Sequence, residues 1–202
     1  MVPGLQRFLE QQPNMSIKPG SKPGLVIDGK FWFSAEPVGL ETITDSYYLL
    51  LEIPEAFPRA LPLVTECDYK IPRTPYYHVN SDATLCLGSP LRLLWKLAQK
   101  PSLTGFGTEC LVPYLYAISH KLKHGGKLPF SELTHGIAGE LADYADLFRL
   151  ASPEAARRAY ELVYMKKRKA NKFPCPCGCG RRLGRCEFNW TIRNFRRLLN
   201  GS

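Results

Sequence analysis

The sequence predicts an α+β fold in which an antiparallel β-meander packs on helices and a small cysteine-rich knob closes the chain. Three observations predict it. Extended runs rich in β-branched and aromatic residues, Leu25–Ser34, Ile43–Ile53 and Leu61–Ile71, follow one another across Gly- and Pro-containing connections, the pattern of adjacent antiparallel strands. The pattern then turns helical up to about residue 170, and strands first with helices after is the order of an α+β layer fold. Finally, four of the seven cysteines crowd into residues 175–186.

Each element has its own signal. Residues 4–12 form a short helix with Leu5, Phe8 and Leu9 on one face, and the Pro/Gly/Ser stretch at 13–24 breaks it. The three strands follow. Residues 72–90 have no clean period and read as a long ordered loop, a kind of segment that is often functional. Helices are expected at about 91–99, 106–123, 131–149 and 152–170. Ser131 before Glu132, and Ser152-Pro153-Glu154, supply N-terminal signals for the last two. No internal repeat is visible.

A chain of 202 residues fits one core plus an appendage. With 45% apolar and 22% charged residues it is not a disordered chain, and its Gly and Pro have no triplet period, which excludes collagen. Charge divides the sequence sharply. Residues 166–202 hold eleven basic residues and one acidic one, Glu187, whereas residues 1–165 hold sixteen basic and seventeen acidic residues. The expected division is therefore a near-neutral body, 1–165, and a basic cysteine-rich tail, 166–202. No window approaches eighteen consecutive apolar residues, so no membrane partner is expected. The N-terminal residues lack a basic segment followed by an apolar one, so no secretory signal is expected. Clustered cysteines without a signal favour metal over disulfides and a cytoplasmic, reducing compartment.

The long loop carries the candidate chemistry. Phe57-Pro58-Arg59-Ala60-Leu61-Pro62-Leu63-Val64 resembles the Tyr-Pro-Phe-x-Pro-Pro-x-Val segment of ubiquitin-conjugating enzymes. Tyr77-His78-Val79-Asn80 is similar to their Tyr-His-Pro-Asn, with Val79 in place of the proline. Leu85-Cys86-Leu87 is similar to the Ile-Cys-Leu that holds their catalytic cysteine, and it follows Asn80 two positions sooner than in the eukaryotic enzymes. The resemblance covers roughly residues 5–150 and implies the UBC fold, with Cys86 as the thioester-forming residue and Asn80 and His78 beside it. Leu128–Gly136 is similar to bacterial relatives, some of which stand in anti-phage operons beside a cGAS-like nucleotidyltransferase whose C-terminus they transfer to an amine.

Residue chemistry supports the same positions. Thioester carriage needs a soft nucleophile on a rigid, accessible loop. Leu85 and Leu87 can anchor such a loop and turn Cys86 outward. An amide such as that of Asn80, placed as an oxyanion donor, contributes roughly 3–4 kcal/mol to the transition state. His78 fits a role in tying the loop backbone better than a role as base. The bland reading of Cys86 is an ordinary buried cysteine, the usual fate of the free residue. Asp82 either helps deprotonate an incoming lysine or shapes a turn. His135 either joins a Cys–His pair or is a structural helix histidine. Cys67 and Cys110 read as core residues.

In the tail, Cys175-Pro-Cys177-Gly-Cys179 and Cys186 bring closely spaced thiolates together with glycine hinges, which suits a tetrahedral zinc ion. The segment resembles the small SEC-C-like zinc motif found on the bacterial secretion ATPase. Cys175, Cys177 and Cys186 match its ligand positions, and the fourth ligand is either Cys179 or Glu187. Zinc is expected as a structural cofactor. Lys166-Lys167-Arg168-Lys169, Arg181, Arg182, Arg185, Arg193, Arg196 and Arg197 lie around it with Phe173, Phe188, Trp190 and Phe195. The bland reading is a solvated helix end followed by a zinc-stapled knob whose aromatics form its mini-core; that knob or a docking element for an acidic protein surface ranks first, and nucleic acid second.

The leading expectation is a ubiquitin-conjugating-like acyl transferase for anti-phage defence. Its partner would be a protein with a free C-terminus, such as a cGAS-like nucleotidyltransferase. No nucleotide-binding glycine motif is present, so activation calls for a separate activating enzyme or a system that dispenses with one. The alternatives are a non-catalytic adaptor of the same fold and a nucleic-acid-binding protein working through its tail.

Overall fold

The structure, a computed structural model, describes residues 1–20, 23–129 and 136–200. It is α+β, with a four-stranded antiparallel sheet and eight α-helices among the described residues. The chain divides into two compact units. Unit 1 is Met1–Gly88 with Lys96–Glu132, and unit 2 is Ser89–Trp95 with Leu133–Ser202. The charge pattern put the division at 165/166. Packing puts it earlier, because residues 170–195 share an apolar cluster with residues 144–163.

In unit 1, helix α1 (Leu5–Gln11) leads into strands β1 (Met15–Lys18), β2 (Leu25–Ala35), β3 (Ile43–Ile53) and β4 (Leu63–Glu66), paired in the order β1-β2-β3-β4. Alternation puts Ile27, Phe31 and Phe33 of β2 on the same face as Leu51, Tyr47 and Leu49 of β3, and all are buried. The Phe8 ring of α1 stacks against Phe31 at 6.1 Å. Strand β1 lies in the segment the sequence reads as a breaker. It is four residues long and buries only Met15, so it shows no alternation of its own and owes its existence to pairing with β2. Gly29 makes that pairing possible. Its φ is +136°, and a Cβ there would stand 2.1 Å from the Asn14 carbonyl oxygen.

The third extended run is shorter than its composition suggests. Strand β4 stops at Glu66, whose buried carboxylate accepts from the N–H groups of Asp68 (2.9 Å), Lys70 (3.3 Å) and Ile71 (3.4 Å). A carboxylate that gathers three backbone donors turns the chain away from the ladder. Helix α3 (Leu103–Phe106) begins at Ser102, whose Oγ accepts from the Gly105 N–H. It runs through a π-helical segment (Gly107–Leu111) into α4 (Val112–His124). The α4 residue Ser119 binds the sheet through Tyr47 Oη (2.6 Å) and Asp45 (2.8 Å).

Helix α2 (Pro90–Gln99) contributes its first residues to unit 2. The others there are α5 (Ile137–Phe148), α6 (Pro153–Tyr164), α7 (Lys167–Ala170) and α8 (Phe188–Asn200). The N-terminal signal at Ser152 holds, since its Oγ accepts from the Ala155 N–H. Ser131, Glu132 and His135 lie outside the described residues. The single helix expected over 152–170 is two, with Met165 extended between them. Arg196 of α8 explains the break, donating to the carbonyls of Leu162 (2.7 Å) and Val163 (3.1 Å) and so capping the last turn of α6. Buried Asp143 accepts from Ser89 Oγ and Arg92 Nε, and the same guanidinium reaches Asp146 at 2.6 Å.

Candidate functional site

The 75–87 loop is a tight hairpin appended to the sheet edge. A short 3₁₀ turn, Pro75–Tyr77, ends at His78, which has a left-handed conformation (φ 54°). From there the chain doubles back on itself. Val79 bridges Leu85, and Thr84 bridges Thr65 beside β4. The Leu85 N–H donates to Val64 O at 2.7 Å, and the Cys86 N–H donates to His78 O at 2.8 Å. Val79 and Leu85 are buried, while Cys86 and Leu87 are half-buried. The alternation that buries Leu85 therefore leaves the neighbouring thiol partly accessible.

Loop support comes from below. Tyr114 Oη donates to Tyr77 O at 2.9 Å. Burial pushes the Tyr114 phenol pKa up. Lys121, itself buried, donates to Tyr76 O at 2.8 Å with its ammonium 3.4 Å from the Tyr76 ring centroid. His78 meets Cys86 through its backbone carbonyl, a contact that does not depend on the imidazole. Asn80 is exposed and sits in the turn, its N–H on Thr84 O (2.8 Å) and its Nδ2 on Thr84 Oγ1 (3.0 Å). An amide has two N–H donors, and Thr84 uses one of them. Asp82 accepts from the Thr84 N–H (3.0 Å) and Oγ1 (2.6 Å), and both bonds lower its pKa. That is the turn-shaping arrangement. Cys110 is a buried core thiol and is pushed up to about 11, whereas Cys67, expected in the core, is half-buried, and burial raises its pKa as well.

The tail places its four cysteines together. The Cys175 N–H donates to Arg181 O (2.9 Å) and the Leu183 N–H to Phe173 O (2.9 Å), closing a small hairpin. Gly178 and Gly180, at φ 80° and 71°, turn the chain between and after the thiols. Sulfur separations are 3.1 Å for Cys175–Cys177 and 3.6 Å for both Cys177–Cys186 and Cys179–Cys186. All four Sγ atoms lie within 4.8 Å of one another. Tetrahedral thiolates at a metal–sulfur distance near 2.3 Å stand about 3.8 Å apart, so this set can hold a metal ion. The fourth member is Cys179, and Glu187 is not part of the set. Burial raises the Cys175 thiol, whereas the Arg181 N–H lowers the exposed Cys179 thiol to about 6.

Two of the tail's arginines are thereby engaged, Arg196 on α6 and Arg181 on the Cys179 sulfur. Phe195 is buried, while Trp190 is 70% exposed. Lys166, Lys167, Arg168 and Lys169 are exposed. A further group, Glu41, His120 and His124, also converges. Its signal in the sequence is partial: His120 and His124 stand four apart, but the helix expected over 106–123 stops one residue short of His124. Glu41 carries no such signal, because only the β2–β3 connection brings it there.

Compared with known proteins, the chain matches no family model, no curated protein and no solved structure. Among the described residues no helix is long and apolar enough to cross a membrane.

Proposed function

We propose that the chain is a ubiquitin-conjugating-like acyl transferase with Cys86 as its nucleophile. The observation that carries this reading is the hairpin itself. A half-buried thiol stands on a loop clamped by β4 on one side and by the His78 carbonyl on the other, with the Asn80 turn in the same hairpin. The order of helix, antiparallel meander, clamped cysteine loop and helices also follows the resemblance to the UBC fold.

In the first step the Cys86 thiolate attacks the activated C-terminal carbonyl of a protein. The leaving group of a separate activating enzyme departs and a thioester forms. In the second step a target amine attacks that carbonyl. The nitrogen–carbon bond forms, the carbon–sulfur bond breaks, the amine proton passes to solvent or a base, and the Cys86 thiolate returns. Asn80 supplies an N–H to the tetrahedral oxyanion, and His78 holds the loop through its backbone. The four tail cysteines hold a structural zinc, which requires a reducing compartment such as the cytoplasm. The exposed basic face of the tail docks an acidic protein surface, with nucleic acid ranked behind it. The anti-phage setting, with a cGAS-like nucleotidyltransferase as the protein carried, rests on the Leu128–Gly136 resemblance.

The test is an adduct assay with the candidate partner proteins and an activating system. Wild type forms an adduct cleaved by added thiol, Cys86→Ser an oxyester or none, and Cys86→Lys a stable amide. Conjugation that survives Cys86→Ala defeats the proposal.

A further inference from the structure

We infer that Glu41, His120 and His124 form a second metal site, one that takes a borderline divalent cation with zinc as the natural candidate. His120 and His124 lie one turn apart on α4, so their rings meet on one face, with centroids 4.6 Å apart. Glu41, from the β2–β3 connection, reaches the same point. One nitrogen of each imidazole and one carboxylate oxygen lie within 4.8 Å of one another. Tetrahedral nitrogen and oxygen ligands at about 2.0–2.2 Å from zinc stand about 3.4 Å apart. Side-chain rotation by roughly an ångström therefore closes the set.

One further observation points to a ligand. His120 Nδ1 is buried without a hydrogen-bond partner, an unsatisfied state that native interiors rarely tolerate. Around the group, Tyr116 Oη donates to the backbone carbonyl of Glu41 at 2.7 Å, and the Tyr116 ring stacks on His120 with centroids 6.3 Å apart and planes 29° apart. Glu41 meets His124 through one oxygen and Lys123 through the other, the latter at 2.6 Å. A cation replaces the His124 contact on the first oxygen and leaves Lys123 on the second. Two histidines and one carboxylate leave a fourth position for water or an outside ligand, the donor set of an open rather than a closed zinc site. Soft-metal selectivity is set by sulfur, so this site and the four-thiolate site differ in kind.

Cobalt(II) separates them by spectroscopy. The full chain is titrated with Co²⁺, and thiolate-bound cobalt announces itself by sulfur-to-metal charge-transfer bands. The expected result is a further equivalent of Co²⁺ that lacks those bands, displaced by Zn²⁺. Loss of a ligand weakens metal binding by roughly 10–100-fold or more, which is expected for His124→Ala and Glu41→Gln, both exposed positions whose substitution leaves the fold intact. Lys123→Ala is expected to tighten binding roughly 1.5- to 5-fold by freeing the carboxylate from an exposed ion pair. Absence of a second equivalent overturns the inference, as does a second equivalent that His124→Ala and Glu41→Gln leave unchanged. Charge-transfer bands report the tail independently, so failure at one site is not mistaken for failure at the other.

Discussion

The two units solve the same stability problem with different materials. Unit 1 buries large side chains between a sheet and its helices, with Phe31, Tyr47, Leu49, Leu51, Phe106 and Leu111 nearly or fully enclosed. Each fully buried residue of that size contributes about 1.5–3 kcal/mol. Unit 2 mixes large side chains, Tyr144, Phe148, Leu162 and Phe195 among them, with Ala145, Ala156, Ala159, Ala170 and Cys175. The alanines contribute little apolar area, and directed contacts add to what the larger residues supply: the four-cysteine cluster, the Arg92–Asp143 pair and the Arg196 cap on α6. Small cores need staples, and a metal ion held by the four cysteines is the staple proposed for unit 2.

The largest effect is expected from denying the four cysteines a metal ion. With a chelator, or with Cys175→Ser and Cys186→Ser together, unit 2 is expected to lose more than about 3 kcal/mol, given the 10–16 kcal/mol that structural zinc supplies in small peptides. That is a fall in Tm of roughly 10–20 °C, followed by circular dichroism of helix content while the sheet signal persists. A chelator-insensitive melt contradicts a structural metal. Next in size is Arg92→Leu, which leaves the Asp143 carboxylate buried without its charge partner and costs about 3–5 kcal/mol in urea unfolding. An effect below 1 kcal/mol would mean that Ser89 alone satisfies Asp143. Leu49→Ala, aimed at unit 1, is expected to cost about 2–5 kcal/mol and to leave the stoichiometry of tightly bound metal at the tail unchanged. The smallest stability effect belongs to Cys86→Ala, within about 1 kcal/mol for a half-buried loop residue, alongside complete loss of the thiol-cleavable adduct. A larger destabilisation would return Cys86 to the core residues.

Legibility in the sequence followed the same line. Strand β3 was readable to the residue because Ile43–Ile53 is one run of β-branched, aromatic and aliphatic residues bounded by turn-forming segments, and the four-cysteine set was readable because its members are neighbours in sequence. Strand β1 and the end of β4 were not, since pairing with β2 makes one and the backbone bonds of Glu66 stop the other. Helix α8 had a signal, Phe188, Ile192, Phe195 and Leu199 at helical spacing, hidden among arginines that drew attention to charge. The break in α6 depends on Arg196, thirty residues away, and no local pattern announces it. At the loop, the sequence placed Cys86, Asn80 and His78 in one segment. It did not show that Thr84 takes up one N–H of Asn80, a contact that depends on the turn closing.

Unit 2 also has an unusual schedule of synthesis. Leu91 packs in the same cluster as Ile192 and Phe195, yet it leaves the ribosome a full hundred residues earlier. At roughly 5–20 residues per second, it waits about 5–20 s for those partners, while nearly all of unit 1 is already available to fold. The residues at 89–95 are thus a docking strip, made early and closed last. A nascent chain stalled before residue 188 would carry that strip without its α8 partners, open to chaperones and proteases, even with the candidate Cys86 loop fully synthesised.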